Sequence, residues 1–491
     1  MTANWGLFLC NCRRTLSLDP ERLVLPIAPS VLSSASDPET DIHEFAKRAN
    51  REELDRVLIS CCADRGIFEA ALNGSGRPPP KLHFINLRES CFLPHADPEK
   101  AHAKATRLLR AAMEIAEAEE APALNPLTAG ARILLIAADG PQGTELAEHL
   151  RDVAQPFVDR GRVVEIKGRL GDFHVTIEDG EAPEVTRREL KADQVVIFSA
   201  NETPSVKSRT GCHLLLNPNS ADLARLAERI RELIGEFLKP VHVSYNADIC
   251  AGGTANQEAC GICITACPYD AISRDPENHL RMQVDHMACE WCGACVSACP
   301  TTSLRFTEPS PRELYRRMAA LLTPLPGQNG GEAWTILFHC GEQGRKVLDE
   351  AGRRPLPYPA SVLPVEVPCL RYVSEANILA AFSLGAAGVG LLGCESCPHG
   401  ERELLYQKLD FCRLTLEAFG LDSQRLRLIT AESGTEPEAI ATLTGFADTL
   451  EATPVRWDGR PMRQWDNREV ITQAIRTFIE QTGREPGRRS F

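Results

Sequence analysis

Residues 289–300 read C-E-W-C-G-A-C-V-S-A-C-P, and no other stretch of this 491-residue chain restricts its folding as strongly. Cys289, Cys292 and Cys295 recur every third residue, so three thiolates can wrap three irons of one iron–sulfide cubane. Cys299, held by the turn before Pro300, reaches across to a second cluster. Zinc favours separated C-x2-C pairs around one tetrahedral ion and is poorly served by four-cysteine runs that end in proline.

Upstream, Cys250, Cys260, Cys263 and Cys267-Pro268 form the partner run, one gap being lengthened by A-G-G-T-A-N-Q-E-A. That insertion is expected to loop out without removing a ligand. The doubled run is the pattern of bacterial-type ferredoxins with two [4Fe–4S] clusters. Their cross-ligation rule assigns Cys250, Cys260, Cys263 and Cys299 to one cluster, and Cys289, Cys292, Cys295 and Cys267 to the other.

Nineteen cysteines suit an intracellular metal-binding chain better than a secreted one. The opening M-T-A-N-W-G-L-F-L-C-N-C has no basic segment followed by an apolar core and a cleavage site, so a cytoplasmic chain with reduced thiols is expected. A net charge of −13 argues against a nucleic-acid partner. The longest apolar stretch, 378–393, is shorter than the ~20 residues a bilayer needs. It reads as a buried helix followed by a buried strand at Val389–Leu392, so no membrane span is expected.

This length implies three to five domains. Strands are predicted at 5–10, 56–60 and 81–87, before a long amphipathic helix with Leu108, Leu109, Ala112 and Ile115 on one face. Residues 121–130 read as a linker. A strand, turn and helix follow, but the turn Ala138–Gly143 lacks the G-x-G-x-x-G of a dinucleotide site. A structural lobe running to about Lys239 is expected there. A helix is predicted from Pro311 to about Leu322, with Arg312, Arg316 and Arg317 as a basic patch whose default reading is a solvated face. Beyond a Pro/Gly-rich boundary at 323–334, alternating strands and helices predict a parallel sheet, and helices near 436–451 and 467–482 close the chain.

Other cysteines acquire meaning from a resemblance. W-G-L-F-L-C-N-C, V-L-I-S-C-C-A-D-R-G and I-N-L-R-E-S-C-F-L-P-H-A-D-P-E-K resemble the N-terminal domain of the heterodisulfide reductase A subunit. The resemblance implies that Cys10, Cys12, Cys62 and Cys91 hold a third [4Fe–4S] cluster, with Cys61 beside Cys62. That family's next domain binds FAD through a glycine-rich turn; the departure at Ala138–Gly143 implies a shrunken lobe without FAD. I-L-F-H-C-G-E-Q-G, V-P-C-L-R-Y-V-S-E-A-N and E-S-C-P-H-G resemble the delta subunit of methyl-viologen-reducing hydrogenase. This second resemblance implies a [2Fe–2S] cluster on Cys340, Cys369, Cys394 and Cys397. The final pair is a tight C-x2-C where that family's spacing is longer, which leaves His399 open as a substitute ligand or a plain surface histidine. Cys412 reads as core, and Cys212 has no visible partners.

The expected fold class is multidomain α/β. It comprises an N-terminal α/β cluster domain (1–125), a degenerate Rossmann-like, flavoprotein-like lobe (126–240) and an α+β 2[4Fe–4S] ferredoxin module (241–310). A C-terminal α/β parallel-sheet iron–sulfur domain (330–455) and a helical tail (456–491) complete it. The expected function is electron transfer within a larger redox complex, without a substrate site of its own. Its partners would be heterodisulfide reductase-, hydrogenase- or formate dehydrogenase-like subunits, or a soluble ferredoxin. The alternatives are a flavin- or NAD-dependent oxidoreductase, or an iron–sulfur regulatory or assembly protein. Trp291 is expected to shield a cluster or to pack, and Arg88 and Glu89 to hydrogen-bond near Cys91 or to lie in a solvated loop.

Overall fold

A computed structural model describes residues 3–10, 18–27, 29–34, 38–60, 65–72, 78–118, 122–138, 140–180, 185–199, 209–254, 256–326, 332–354, 356–400, 402–453, 455, 462–463 and 465–484. The chain opens with strands β1 (Trp5–Cys10), β2 (Ser30–Ser34), β3 (Arg56–Ser60) and β4 (Lys81–Phe84), paired in parallel in the order β2-β1-β3-β4. β1 is buried along its whole length, as a continuous apolar run is when a parallel sheet is covered on both faces. Helices α1 (Pro38–Arg51) and α2 (Arg65–Leu72) bring Phe45 and Phe68 edge-on against Phe8, with ring centroids 5.1 and 5.3 Å away. Each such pair adds about 0.5–1.5 kcal/mol beyond its burial. Helix α3 (Pro98–Ala118) is buried over a wider face than its apolar stripe predicts. Lys104 and Arg107 are buried with Leu108 and Leu109, whereas Ala112 and Ile115 are half-buried.

Residues 121–130 are not a linker, because they contain strand β5 (Leu124–Ala129). Next come β6 (Arg132–Ile136), α4 (Pro141–Leu150), β7 (Gln155–Asp159), β8 (Arg162–Arg169), β9 (Asp172–Asp179), β10 (Thr186–Ala192), β11 (Gln194–Ser199), β12 (Cys212–Leu216), α5 (Ser220–Glu232) and β13 (Gly235–Pro240). A parallel sheet β12-β11-β6-β7 carries α4 and α5 on one face and an antiparallel sheet β10-β9-β8 on the other. Phe173, Val175 and Ile177 alternate inward along β9. β13 pairs antiparallel with β5, whose Leu127 and Ala129 pack against Leu170. The period of two in β5 is easily missed beside Pro126.

The cysteine-rich region is built from short pieces: β14 (Val243–Tyr245), β15 (Gly253–Thr254), β16 (Gln257–Glu258), α6 (Ile262–Ala266), β17 (Ile272–Arg274), β18 (Met282–Val284), α7 (Ala294–Ala298) and β19 (Leu304–Phe306). Helix α8 (Pro311–Leu322) starts with a capping box, Ser310 with Glu313, and has proline in its first turn. After it come β20 (Thr335–Cys340), α9 (Gln343–Arg353), β21 (Val362–Val367), α10 (Glu375–Ser383), β22 (Gly388–Cys394), α11 (Glu403–Ala418), β23 (Leu426–Ala431), α12 (Glu436–Asp448) and α13 (Asn467–Thr482). The last sheet is all parallel, β21-β20-β22-β23.

Contacts gather the chain into two units: 1–120 with 308–396 and 402–491, and 121–307 with 397–401. Specific side chains join the distant segments of the first unit. Arg107, 1% exposed, donates to the Leu321 and Thr323 carbonyls at 2.6 and 2.7 Å, and its guanidinium lies 4.1 Å from the Trp334 ring. These carbonyls end α8 and lack intrahelical partners, so a cation there is favourable. Arg316 pairs with Glu114 of α3 at 2.6 Å, so the arginines of α8 do not form one solvated patch. α13 packs on α10. No helix among the described residues is long and apolar enough to cross a membrane.

Candidate metal centres

The two cysteine runs adopt matching local conformations. α6 and α7 each follow a glycine, Gly261 or Gly293, and each ends at a cysteine in extended backbone. Cys267 has φ −79° and ψ 114°, and Cys299 has φ −74° and ψ 114°. Pro268 and Pro300 enforce this, because proline excludes the helical region for the residue before it. The 251–259 insertion forms the β15–β16 hairpin, and its base returns Cys260 beside Cys250: the Ala259 N–H donates to Gly252 O at 2.9 Å, the Cys260 N–H to Ala251 O at 3.0 Å. Arg274 staples this base by donating to Gly252 O at 2.5 Å and Cys260 O at 3.0 Å.

The thiols fall into two groups. Cys267, Cys289, Cys292 and Cys295 line one small cavity together with Tyr269 and Trp291. Cys263, by contrast, is pushed up to about 11 by burial and by the charges of Cys299, Cys250 and Cys260. Burial, then Cys292, Cys289 and Cys267, raises Cys295 well above the usual thiol value, and Cys263 also acts on it, so the groups adjoin. Cys299 differs. Burial opposes its ionisation, but Ser303, the Leu304 N–H and Thr301 together hold its thiol below the ordinary value. Ser303 Oγ is 3.3 Å from its sulfur.

Eight soft donors in two sets of four, with Cys263, Cys292, Cys295 and Cys299 all buried, suit iron–sulfide cubanes. Burial opposes bare thiolates, and a bound cationic cage offsets that penalty. Among the described residues no three Cys, His, Asp or Glu groups converge on a single ion; a cubane binds its thiolates on separate irons and needs a wider set. Trp291, 42% exposed, stacks on His242 at 3.9 Å between centroids and walls the cavity of Cys267, Cys289, Cys292 and Cys295. The preceding lobe is docked on this loop: Thr210 donates to Glu290 through N–H and hydroxyl, and Lys239 donates to Met287 O at 2.6 Å.

At the N-terminus, Cys10 ends β1 and Cys91 lies in the helical turn Arg88–Phe92, both buried. Cys12, Cys61 and Cys62 lie outside the described residues. The position is favourable for a ligand, because Cys10 stands at the carboxyl edge of a parallel sheet, where such sheets open their crevices. Cys91 is pushed up to about 12 by burial, against which Lys104 acts. Lys104 bonds His95 Nε2 at 3.0 Å and the Tyr358 hydroxyl at 3.2 Å, and that hydroxyl donates to Ser90 O at 3.4 Å. Burial pulls Lys104 down to about 8, with Cys91 opposing; burial, then Lys104, keeps His95 neutral at about 3. Arg88 and Glu89 pair with each other at 3.3 Å. α9 lies on this turn at Gly352, where a Cβ would sit 2.7 Å from the Glu89 Cα.

The C-terminal sheet repeats the arrangement. Cys340 ends β20, Cys394 ends the neighbouring β22, and Cys369 lies just past β21, all at the carboxyl edge. The Cys340 and Cys394 sulfurs are 3.9 Å apart. Two thiolates on one tetrahedral metal at ~2.3 Å stand roughly 3.8 Å apart, so this pair can share an iron. The Gly344 N–H donates to the Cys340 sulfur at 3.2 Å, and Arg402 holds the Cys394 carbonyl at 2.6 Å. Cys397 and His399 belong to the short segment grouped with the second unit. There His399 is hydrogen-bonded to the hydroxyl of Tyr269, which lines the cavity of Cys267, Cys289, Cys292 and Cys295. Cys412 is core, as its position in α11 predicts, and burial pushes Cys212 up to about 12.

Comparisons with known proteins follow these regions. The family model "4Fe-4S dicluster domain" matches residues 258–303, leaving Cys250 beyond the hairpin, and that of "Methyl-viologen-reducing hydrogenase, delta subunit" matches 335–453. The chain is 31% identical over 126 residues to an iron-sulfur A subunit of CoB–CoM heterodisulfide reductase from Methanopyrus kandleri, covering 23% of this chain and 18% of that protein. It is 25% identical over 291 residues to the corresponding A subunit of Methanocaldococcus jannaschii, covering 55% of this chain and 39% of that one. It is 27% identical over 127 residues, 25% of this chain, to the iron-sulfur D subunit of the F420-non-reducing hydrogenase vhu of Methanococcus maripaludis, 95% of which is covered. The chain thus spans well under half of the reductase relatives and nearly all of the small hydrogenase protein. It is a composite, similar to the heterodisulfide reductase A subunit, with a 4Fe–4S dicluster domain and a C-terminal region similar to the hydrogenase delta subunit.

Proposed function

We propose that the chain is an iron–sulfur electron-transfer subunit of a multi-subunit redox complex, acting in the cytoplasm. Its partners would be subunits of heterodisulfide reductase, hydrogenase or formate dehydrogenase type, or a soluble ferredoxin. The observation that carries this reading is the pair of adjoining four-thiol groups, Cys250, Cys260, Cys263 and Cys299 beside Cys267, Cys289, Cys292 and Cys295. [4Fe–4S] clusters held there would supply one-electron carriers at potentials set by charge, hydrogen bonds and exposure. The protein's share is to bury the thiols, keep the two sets adjacent, and donate hydrogen bonds unequally, Ser303 and Thr301 serving Cys299.

A third [4Fe–4S] on Cys10, Cys12, Cys62 and Cys91 extends the reading, as does a [2Fe–2S] on Cys340, Cys369, Cys394 and Cys397. The carboxyl-edge positions of Cys10, Cys340, Cys369 and Cys394 support both. We read the 126–240 lobe as a degenerate flavoprotein scaffold without FAD. Gly143 packs closely on Ala138, since a Cβ there would fall 2.0 Å from Ala138 O. The oxygen-protected chain should bleach within seconds when mixed with a reduced viologen and recover its colour with a one-electron oxidant, over repeated cycles. Clusters that resist reduction or break down after one cycle would count for a regulatory or assembly role. A bound flavin absorbance would count for an oxidoreductase in its own right.

A further inference from the structure

Lys104 is fully buried, yet the groups it bonds, His95 and the Tyr358 hydroxyl, are neutral. Among the described residues no carboxylate pairs with it. Among the described residues, the acidic group whose charge reaches it is the Cys91 thiol. A buried ammonium is costly to keep without an opposing charge, and two neutral hydrogen bonds and the Tyr358 ring, 4.5 Å away, return only part of that cost. An iron–sulfur cluster with four thiolate ligands is net negative in either oxidation state, so a cluster on Cys91 would provide the missing charge.

We propose that Lys104 is the built-in counter-charge of the N-terminal cluster site, a positioning residue whose fixed ammonium favours uptake of an electron there. This rests on the reading of Cys91 as a ligand. One electron arrives from a low-potential one-electron donor, no covalent bond forms or breaks, and the added negative charge is met by an ammonium already in place. His95 and Tyr358 hold that ammonium. Tyr358 comes from the hydrogenase delta-like region, so the C-terminal segment helps to set the electrostatics of the N-terminal one.

The test is a potentiometric titration of the oxygen-free full chain, with dithionite as reductant, followed by paramagnetic resonance. Comparison with Cys91→Ser identifies the N-terminal signal. Lys104→Met should leave the iron content unchanged and lower that signal's reduced-to-oxidised ratio at fixed potential by about tenfold, equivalent to 59 mV for a one-electron couple. An unchanged ratio with full iron would overturn the proposal. If Lys104→Met loses the N-terminal irons, Lys104→Arg decides: recovered iron supports a role for the charge, and no recovery overturns it. A Cys91→Ser chain that keeps all its iron and every signal would instead remove the ligand reading on which the proposal stands.

Discussion

Cys299→Ser should empty the same cluster site as Cys250→Ser, although Cys299 lies in the run with Cys289, Cys292 and Cys295. Each substitution is expected to remove about four of roughly twelve cubane irons. Cys250→Ser with Cys299→Ser should cost no more iron than either alone, because both act on one site. Cys267→Ser with Cys299→Ser should cost about eight, because they act on two. The reason is geometric: Cys299 acts electrostatically on Cys263, whereas Cys267 shares a cavity with Cys289, Cys292 and Cys295. Iron analysis of these variants and of Cys289→Ser, with paramagnetic resonance after reduction, makes the comparison. A Cys299→Ser chain that loses the resonance signal lost in Cys289→Ser, and keeps the one lost in Cys250→Ser, would refute the sorting.

The second large effect concerns packing. A valine at Gly352 would place its Cβ 2.7 Å from both the Cα and the Cβ of Glu89 and 2.8 Å from its carbonyl oxygen. Two of these atoms are backbone, in the turn that carries Cys91, so they cannot swing aside as a flexible side chain would. Gly352→Val should therefore drive α9 away from that turn, with a loss of about 3 kcal/mol, the upper end for overpacking. A melting temperature lower by about 6 °C or more is expected, together with loss of the N-terminal irons before those of the dicluster domain. Gly445→Ala is the control, because nothing lies within 4 Å of a Cβ there. On α12 it should gain up to ~1 kcal/mol. Equal melting temperatures for the two variants would show that the α9 contact is unimportant.

Much of this architecture was readable from local pattern. β1, β3 and β20 follow from unbroken apolar runs, and α8 from serine, proline and glutamate in capping order. The doubled cysteine run carries its own spacing. What escaped depends on partners far along the chain. β5 is a strand only because β13 pairs with it, more than a hundred residues later. Arg274 looks like an ordinary strand residue until the inserted hairpin brings two carbonyls to it. Lys104 carries one local signal, its place four residues before Leu108 on the same side of α3. Tyr358, more than 250 residues from Lys104, carries no local signal at all. The arginines of α8 were misread for a similar reason, since the fate of Arg316 depends on Glu114 of another segment.

Metal and acid-labile sulfide analysis of the freshly isolated, oxygen-protected chain tests the central claim most directly. The account predicts a brown protein with about twelve cubane irons, a comparable quantity of sulfide, and only traces of zinc. A colourless chain carrying stoichiometric zinc and no labile sulfide would contradict it.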